Sequence, residues 1–537
     1  MRQFAFFICR IEIDTVYVII ISVKVLLKGG KVMGGSGRFA AIITFCIVFF
    51  FQAIFVELGL KDEIDVTFPE LTTQKKTENR TYDIEYLTKY TTTVPTTVFD
   101  GDIAFSDGAT AISFGGAGND VIKASCATAD GGFVICGNMS SPVNSLKITP
   151  ASGWTYPFAF VVKFDSSGSV QWVKGIGGNG MTSFEDVAQL SDGCIVAVGY
   201  TQATNLIDSS AELGEVSVID AIAFKFTSSG SVARTLVLQG KGYDYFDCIV
   251  ALPDGGFVTG GNSTSYDGNY SFLPQTPSAT LMAYASDFRA LWNDYMTGTT
   301  GARFTDLCID SSGNLFAVCL TNSSDLSFAD YPQLGRGSND VLVCKYSTDG
   351  EFVWGCPVSS SGDDRFENVA PNGTGGCYVA GYYKTKNDSG VTDGTLSECT
   401  NHGGVDAAVI EIDSNGNPDD IYSYSGFYDD YITDIVPVDG GLVLSGYTES
   451  GNRTFLPIGN LGDRDAFLLQ VKNDGSVLNL QSASGSGQDC AYSVCVSDQL
   501  GVILSGTTCS TDEFFADSTE PPVEYSYTAF AAKYELK

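Results

Sequence analysis

From residue 109 to the end of the chain, short apolar runs of strand length alternate with clusters of Asp, Gly, Ser and Asn, the pattern of brief β-strands joined by turns. The runs are not independent. A unit of about 60 residues opens at a Gly-x-Gly-x-Asp-like turn and continues through strand, tight turn, strand, long loop, strand, tight turn and strand. Its first position falls at Asp120, Thr182, Asp244, Ala302, Asp364, Asp429 and Asp489. Ten residues on comes a hairpin turn such as Asp130-Gly131-Gly132, Asp254-Gly255-Gly256 or Asp439-Gly440-Gly441, degraded in the last copy to Leu500-Gly501. Asp-Gly supplies the backbone geometry of a tight hairpin. The second strand is apolar and in most copies ends in Gly, as in Phe133-Val134-Ile135-Cys136-Gly137. The third reads like Asp220-Ala221-Ile222-Ala223-Phe224-Lys225, and the fourth like Ser169-Val170-Gln171-Trp172-Val173. Four short antiparallel strands repeated seven times predict an all-β fold, a seven-bladed β-propeller over residues 109–537.

A ring must close, and the seventh copy ends after its third strand. Residues 107–116 match the turn and fourth strand that precede the second copy, so residues 109–114 are expected to complete the last blade and remove its exposed edge. The Gly-rich turn with Asp, the Asp-Gly-Gly hairpin, the Gly-ended strand, the Asp-Ala-Phe-x-x-Lys strand and Gly-x-x-x-Trp together resemble the extracellular propeller-repeat proteins of bacteria. The resemblance covers residues 109–537. It implies a secreted or surface-displayed repeat protein and no reaction. The sequence departs from the pattern in keeping Trp only at Trp172, Trp292 and Trp354 of the fourth strands, and in losing the hairpin motif of copy seven.

Upstream, residues 39–56 are apolar except for Thr44 and Gln52, close to the minimum for a membrane span. Lys24, Lys28, Lys31 and Arg38 precede them, and Glu57, Asp62, Glu63 and Asp65 follow, so the expected topology leaves residues 1–38 in the cytoplasm and everything after residue 60 outside. A cleaved signal peptide is the rival expectation, although no small-x-small site follows the run. Residues 4–23 are also apolar, but Arg10, Glu12 and Asp14 make a second span costly. Translation starting at Met33 would leave an ordinary export signal. Residues 57–108, with their Thr-rich stretch at 91–97, have the composition of a stalk. The domain is therefore expected either anchored at the cell surface or secreted.

A net charge of -33 excludes a nucleic-acid binder that works by phosphate neutralisation, and one histidine, His402, removes most triads and zinc sites. No P-loop, dinucleotide fingerprint or nucleophile elbow occurs, and carboxylate pairs such as Asp363-Asp364 and Asp419-Asp420 show no spacing that predicts convergence. The chain is therefore expected to be no enzyme. Recognition of a protein or glycan is expected on the face that carries the long loops, residues 138–157, 200–219, 262–278, 321–339, 382–405, 447–464 and 507–526. A glycan-active enzyme and a structural envelope component are the alternatives. Loop aromatics Tyr156, Tyr266, Tyr270, Phe272, Phe328, Tyr331, Phe455, Phe514, Phe515 and Tyr525 are candidates for ligand contact, or else pin the loops to the blades. No cofactor is expected. Asp120, Asp244, Asp364, Asp429 and Asp489 are the one candidate set for Ca²⁺, against the reading in which turn amides satisfy each of them. Asp413-Ser414-Asn415-Gly416-Asn417 reads as a hairpin turn. Asn138, Asn262, Asn269, Asn322, Asn387 and Asn452 are glycosylation triplets at the loops. Of the cysteines, Cys126 with Cys136 and Cys308 with Cys319 flank hairpins at nearly opposing positions, where small buried thiols are favoured over strained bridges.

Overall fold

The computed structural model describes strands Ala5–Ile13 and Val16–Lys24 and residues 105, 111–115, 118–140, 146, 157–206, 218–335, 338–384, 394–397, 399–516 and 526–537. The chain divides into two units, Met1–Lys75 and Lys76–Lys537. In the first, the two strands pair antiparallel with Ala5 opposite Lys24 and Ile13 opposite Val16. The expected span at residues 39–56 and most of the expected stalk lie outside the described residues. Among the described residues no helix is long and apolar enough to cross a membrane.

The second unit is the propeller. Blade one is built from Asp120–Ala127, Phe133–Met139, Phe158–Phe164 and Val170–Ile176. The first strands of the next six are Thr182–Gln189, Asp244–Ala251, Ala302–Ile309, Arg365–Pro371, Asp430–Val438 and Asp489–Ser497. Each blade is a four-stranded antiparallel sheet in chain order with the first strand innermost, except the last, whose outer strand is Ala111–Phe114. That strand pairs with Thr528–Tyr534 in the register Ala111 to Ala532 and Phe114 to Ala529. The described strand lies within the expected 109–114, of which residues 109 and 110 lie outside the described residues. Its hold is extended by Phe105, which is 7 % exposed, meets Phe133 at 6.2 Å and donates its N–H to Gly168 O at 3.2 Å.

The run pattern follows from stacking. Blades press on one another through both faces, so the middle strands are apolar without alternation, as in FAFVVKF of blade one with all seven residues buried. Outer strands meet solvent and turn polar, as in PDDIYSY of blade five. The third-strand lysine explains its coupling to the hairpin aspartate: Lys163 is almost wholly buried, and its Nζ reaches Asp130 at 2.9 Å and Phe164 O at 2.6 Å. Lys225 repeats this with Asp192 at 2.7 Å. Fourth-strand tryptophans lie over the next blade's second turn, where Trp172 Nε1 donates to Ser228 O at 3.0 Å. Gly230 sits beneath that indole at φ 82°, and a Cβ there would stand 2.7 Å from the ring.

The cysteines that flank these two hairpins are out of register with each other: Ala124 opposes Cys136 and Val134 opposes Cys126, while Phe316 opposes Cys308 and Phe304 opposes Cys319. None of the thirteen cysteines of the propeller is joined in a disulfide. Burial pushes Cys136 and Cys308 well above the ordinary thiol range, so they behave as small apolar side chains.

Candidate ligand site in the central channel

Every first strand carries a β-bulge at its fourth residue, or at its third in blade five. In blade one the register slips between Ile122 and Ala124, and the same slip recurs at 184/186, 246/248, 304/306, 366/368, 432/434 and 491/493. This accounts for the Gly that ends the second strand. Gly137 lies opposite the bulge so closely that a Cβ would come within 2.0 Å of Val121 O, and the equivalent glycines of five other blades are in the same position. A bulge re-aims one side chain. Here the seven residues at the slip are Lys123, Glu185, Asp247, Thr305, Glu367, Thr433 and Tyr492, and all of them line the channel.

Toward the long-loop face the channel holds a cavity of about 490 Å³, which adds Arg303, Arg365, Tyr382, Tyr431 and Tyr447 to that ring. A second cavity of about 570 Å³ continues toward the tight turns and shares most of the ring. Lys123 pairs with Glu185 at 3.3 Å, and Arg303 with Asp247 at 3.6 Å. Burial raises the Asp247 carboxyl to about 6 against the pull of Arg303, and its Oδ2 has no hydrogen-bond partner. Arg365 makes no ion pair among the described residues, and its buried Nε is likewise without an acceptor. The tyrosines brace one another. Tyr431 stacks on Tyr447 at 4.6 Å and meets the edge of Tyr382 at 4.9 Å, while Arg464 covers Tyr447 at 5.2 Å. Burial pushes the Tyr382 and Tyr447 hydroxyls up to about 12, so both stay protonated and able to donate.

Below the ring, Asp186, Asp306 and Asp434 clip blades together. Each accepts the N–H of its own successor at 2.7 Å and reaches across to Ile249 N, Val369 N or Val494 N at 2.7 to 2.8 Å. Burial raises Asp186 to about 7 and Asp434 to about 6.

The Ca²⁺ candidates are separated, each held inside its own blade. Asp244 accepts from Ser263 Oγ at 2.5 Å and Ser265 Oγ at 2.9 Å. Asp489 accepts from Thr508 Oγ1, Ser510 Oγ and Gly485 N at 2.5, 2.8 and 2.7 Å. Asp120 and Asp364 are also buried, taking Ser140 N at 3.0 Å and Ser360 N at 2.7 Å. In blade six the register corrects the expected residue. Asp430, not Asp429, fills the buried position and accepts from Thr448 and from Gly426 N, whereas half-buried Asp429 accepts from Tyr431 Oη at 3.2 Å. Among the described residues no group of three or more His, Cys, Asp or Glu has a metal-holding arrangement. The Asp413 turn is a hairpin turn, with its Oδ1 accepting Asn415 N and Asn417 N at 2.9 and 2.8 Å.

The loop aromatics divide. Tyr156 and Tyr525 lie outside the described residues. Tyr270, Phe328, Phe455 and Phe515 are wholly buried in the blade cores. Phe272, Tyr331 and Phe514 are half-buried against the same cores, and Tyr266 stands out at 54 % exposure. The four buried rings close a device that recurs in the long loops, a one-turn 3-10 helix preceded by Asp or Asn. Asp267, Asp325 and Asp512 each hold a backbone N–H of the preceding inter-blade connection, at Lys241, Thr299 and Ser486, at 2.9 to 3.0 Å. In those loops the aromatic is therefore an anchor.

None of the channel residues stood out in the sequence. A signal was present: in each first strand the alternation breaks at the bulge, giving consecutive pairs such as Glu185-Asp186, Thr305-Asp306 and Glu367-Asn368, with the first member differing from blade to blade. No protein-family model and no curated protein matches the chain. Solved structures similar to it include a protein of unknown function from Dyadobacter fermentans (10 % identity, TM-score 0.39, covering 82 % of this chain and all of that one). Others are Sqt1 from Chaetomium thermophilum (11 %, 0.38, 80 % and 99 %) and a protein of unknown function from Bacteroides caccae (11 %, 0.33, 60 % and 89 %). At these scores they carry no argument about activity. The strand order and the closing register by themselves show a seven-bladed β-propeller.

Proposed function

We propose that the protein is a recognition scaffold, displayed outside the membrane by its amino-terminal segment or secreted, that holds a protein or glycan ligand over the channel mouth on the long-loop face. The observation that carries this reading is the 490 Å³ cavity, where polar groups from the first strands of separate blades converge and two of them, Asp247 Oδ2 and Arg365 Nε, are buried without hydrogen-bond partners among the described residues. Convergent polar groups in a preformed concave site suit ligand binding. Exposed Tyr266, Phe427, Tyr428 and Leu456 in loops of that face add apolar contact area around it. Glycan-array and cell-attachment assays with the full chain test the reading, comparing a Tyr266→Ser/Phe427→Ser/Tyr428→Ser variant with a Tyr431→Ala variant. Attachment should fall in at least one of them while folding survives. Loss on changing only the tight-turn aspartates Asp254 and Asp439 would place recognition on the opposite face.

A second reading, glycan hydrolysis, has one observation in its favour: Asp247, half-protonated at about pH 6, shares the cavity with Glu367. Oligosaccharide turnover that disappears in Asp247→Asn would establish it. Binding without turnover would not.

A further inference from the structure

Of the three cations on the channel wall, two are already neutralised, Lys123 by Glu185 and Arg303 by Asp247. Arg365 is not, and its buried Nε lacks an acceptor. Leaving a buried guanidinium N–H unmet is costly, so the position calls for an acceptor that the chain itself does not supply. The residue opposite Arg365 across the strands is Tyr382, and Tyr447 lines the same cavity. The guanidinium fork can only donate and carries a positive charge, and the phenol hydroxyls beside it can donate as well, a set suited to an anion. Glu367, two residues along the same strand, and the Oδ2 of Asp247 from another blade, which has no hydrogen-bond partner among the described residues, are acceptors suited to ligand hydroxyls.

The charge on the anion follows from the rest of the molecule. A chain of net charge -33, with Glu185, Asp247 and Glu367 in the same ring, repels a ligand in proportion to its charge. A planar monoanion that uses the fork geometry is favoured over phosphate or a polyanion. The cavity has room for one or two sugar rings.

We propose that Arg365, with the Tyr382 and Tyr447 hydroxyls, binds the carboxylate of a single uronic acid residue on an otherwise neutral glycan, while Glu367 and Asp247 accept its ring hydroxyls. This deepens the recognition reading above and rests on it.

Titration calorimetry on the full chain tests the proposal with methyl glucuronide and methyl glucoside, which differ only in the carboxylate. Sodium sulfate and N-acetyl-diglycine serve as a second anion and a peptide carboxylate. The glucuronide should bind and the glucoside should not. Arg365→Gln should weaken binding roughly tenfold or more. Because Arg365 has no ion-pair partner among the described residues to orphan, an unchanged melting temperature is expected, and Arg365→Lys should restore part of the affinity. Equal binding of the two glycosides, glucuronide binding unaffected by Arg365→Gln, or sulfate or the peptide binding as well as the glucuronide would each overturn the proposal. So would no glucuronide binding at all. If the array finds neutral glycans whose binding is lost in Tyr431→Ala, recognition at the channel stands and the uronic acid assignment fails alone.

Discussion

Lys163 and Asp130 show how a repeat motif becomes a physical unit. The ammonium is buried and has two partners, the Asp130 carboxylate and Phe164 O, while Asp130 is 47 % exposed. Burial works against the charged aspartate, but the hydrogen bonds from Lys163, Thr128 and Gly132 N, together with the Lys163 charge, outweigh it and hold Asp130 below the usual carboxylate range. The two ends are unequal, because water can replace the lysine for Asp130 and cannot replace the aspartate for Lys163. Asp130→Ala should therefore destabilise by about 2 to 3 kcal/mol, since it strands a buried charge, and Lys163→Met by less. Chemical denaturation of the two variants checks the order, and the reverse order would refute the account. Trp172 makes a parallel case. It is 3 % exposed and packs on the next blade at Phe226, so Trp172→Ala should cost about 3 to 5 kcal/mol. Gly230→Ala, which drives a methyl into the same indole, should cost a smaller amount of the same sign.

At the scale of the element, the closing strand carries the ring. All four residues of Ala111–Phe114 are buried, and Ile112 and Phe114 enter the core shared by blades seven and one. Deleting residues 101–116 exposes the edge of Thr528–Tyr534 and uncovers Phe133 and Gly168, where Phe105 had packed. The truncated chain should melt far lower or aggregate. An unchanged melting temperature would mean that closure contributes nothing. The same scale decides which changes to a long loop are informative. Replacing residues 264–276 removes Tyr270 and Leu273 from the core of their blade, so such a variant reports stability as much as binding. Single substitutions at Tyr266 leave that anchor in place.

At the scale of the whole molecule, the fold buries carboxyls that the unfolded chain exposes. Burial raises Asp186, Asp244 and Asp430 to about 7 and Asp247, Asp364, Asp434 and Asp489 to about 6, against about 3.9 in an unfolded chain. Between those values the folded state binds more protons than the unfolded state, so stability falls as pH rises. The contribution is greatest near pH 4, declines through pH 6 to 7 and then levels off. Relief of self-repulsion in a chain of net charge -33 acts in the same direction. Thermal melts should give a higher midpoint at pH 5 than at pH 8, and Asp244→Asn with Asp430→Asn should flatten the difference. A midpoint that rises from pH 5 to pH 8 would mean these carboxylates are stabilised as anions.

How much was legible follows from the range of each interaction. Strand number, blade boundaries, hairpin turns and the amino-terminal closure depend on local patterning repeated seven times, and repetition makes a weak local signal strong, so the sequence alone determined them to within a residue or two. Asp429 shows the limit: one residue of register, set by pairing with Gly441–Thr448, moved the buried position to Asp430. The anchoring of Tyr270, Phe328, Phe455 and Phe515 and the channel ring were decided by tertiary structure. An aromatic in a loop has the same local sequence whether it turns inward or outward. Glu185, Asp247, Arg303, Arg365 and Tyr447 come from five different blades, and only closure of the ring, with a bulge turning one residue of each first strand toward the axis, brings such side chains to one cavity.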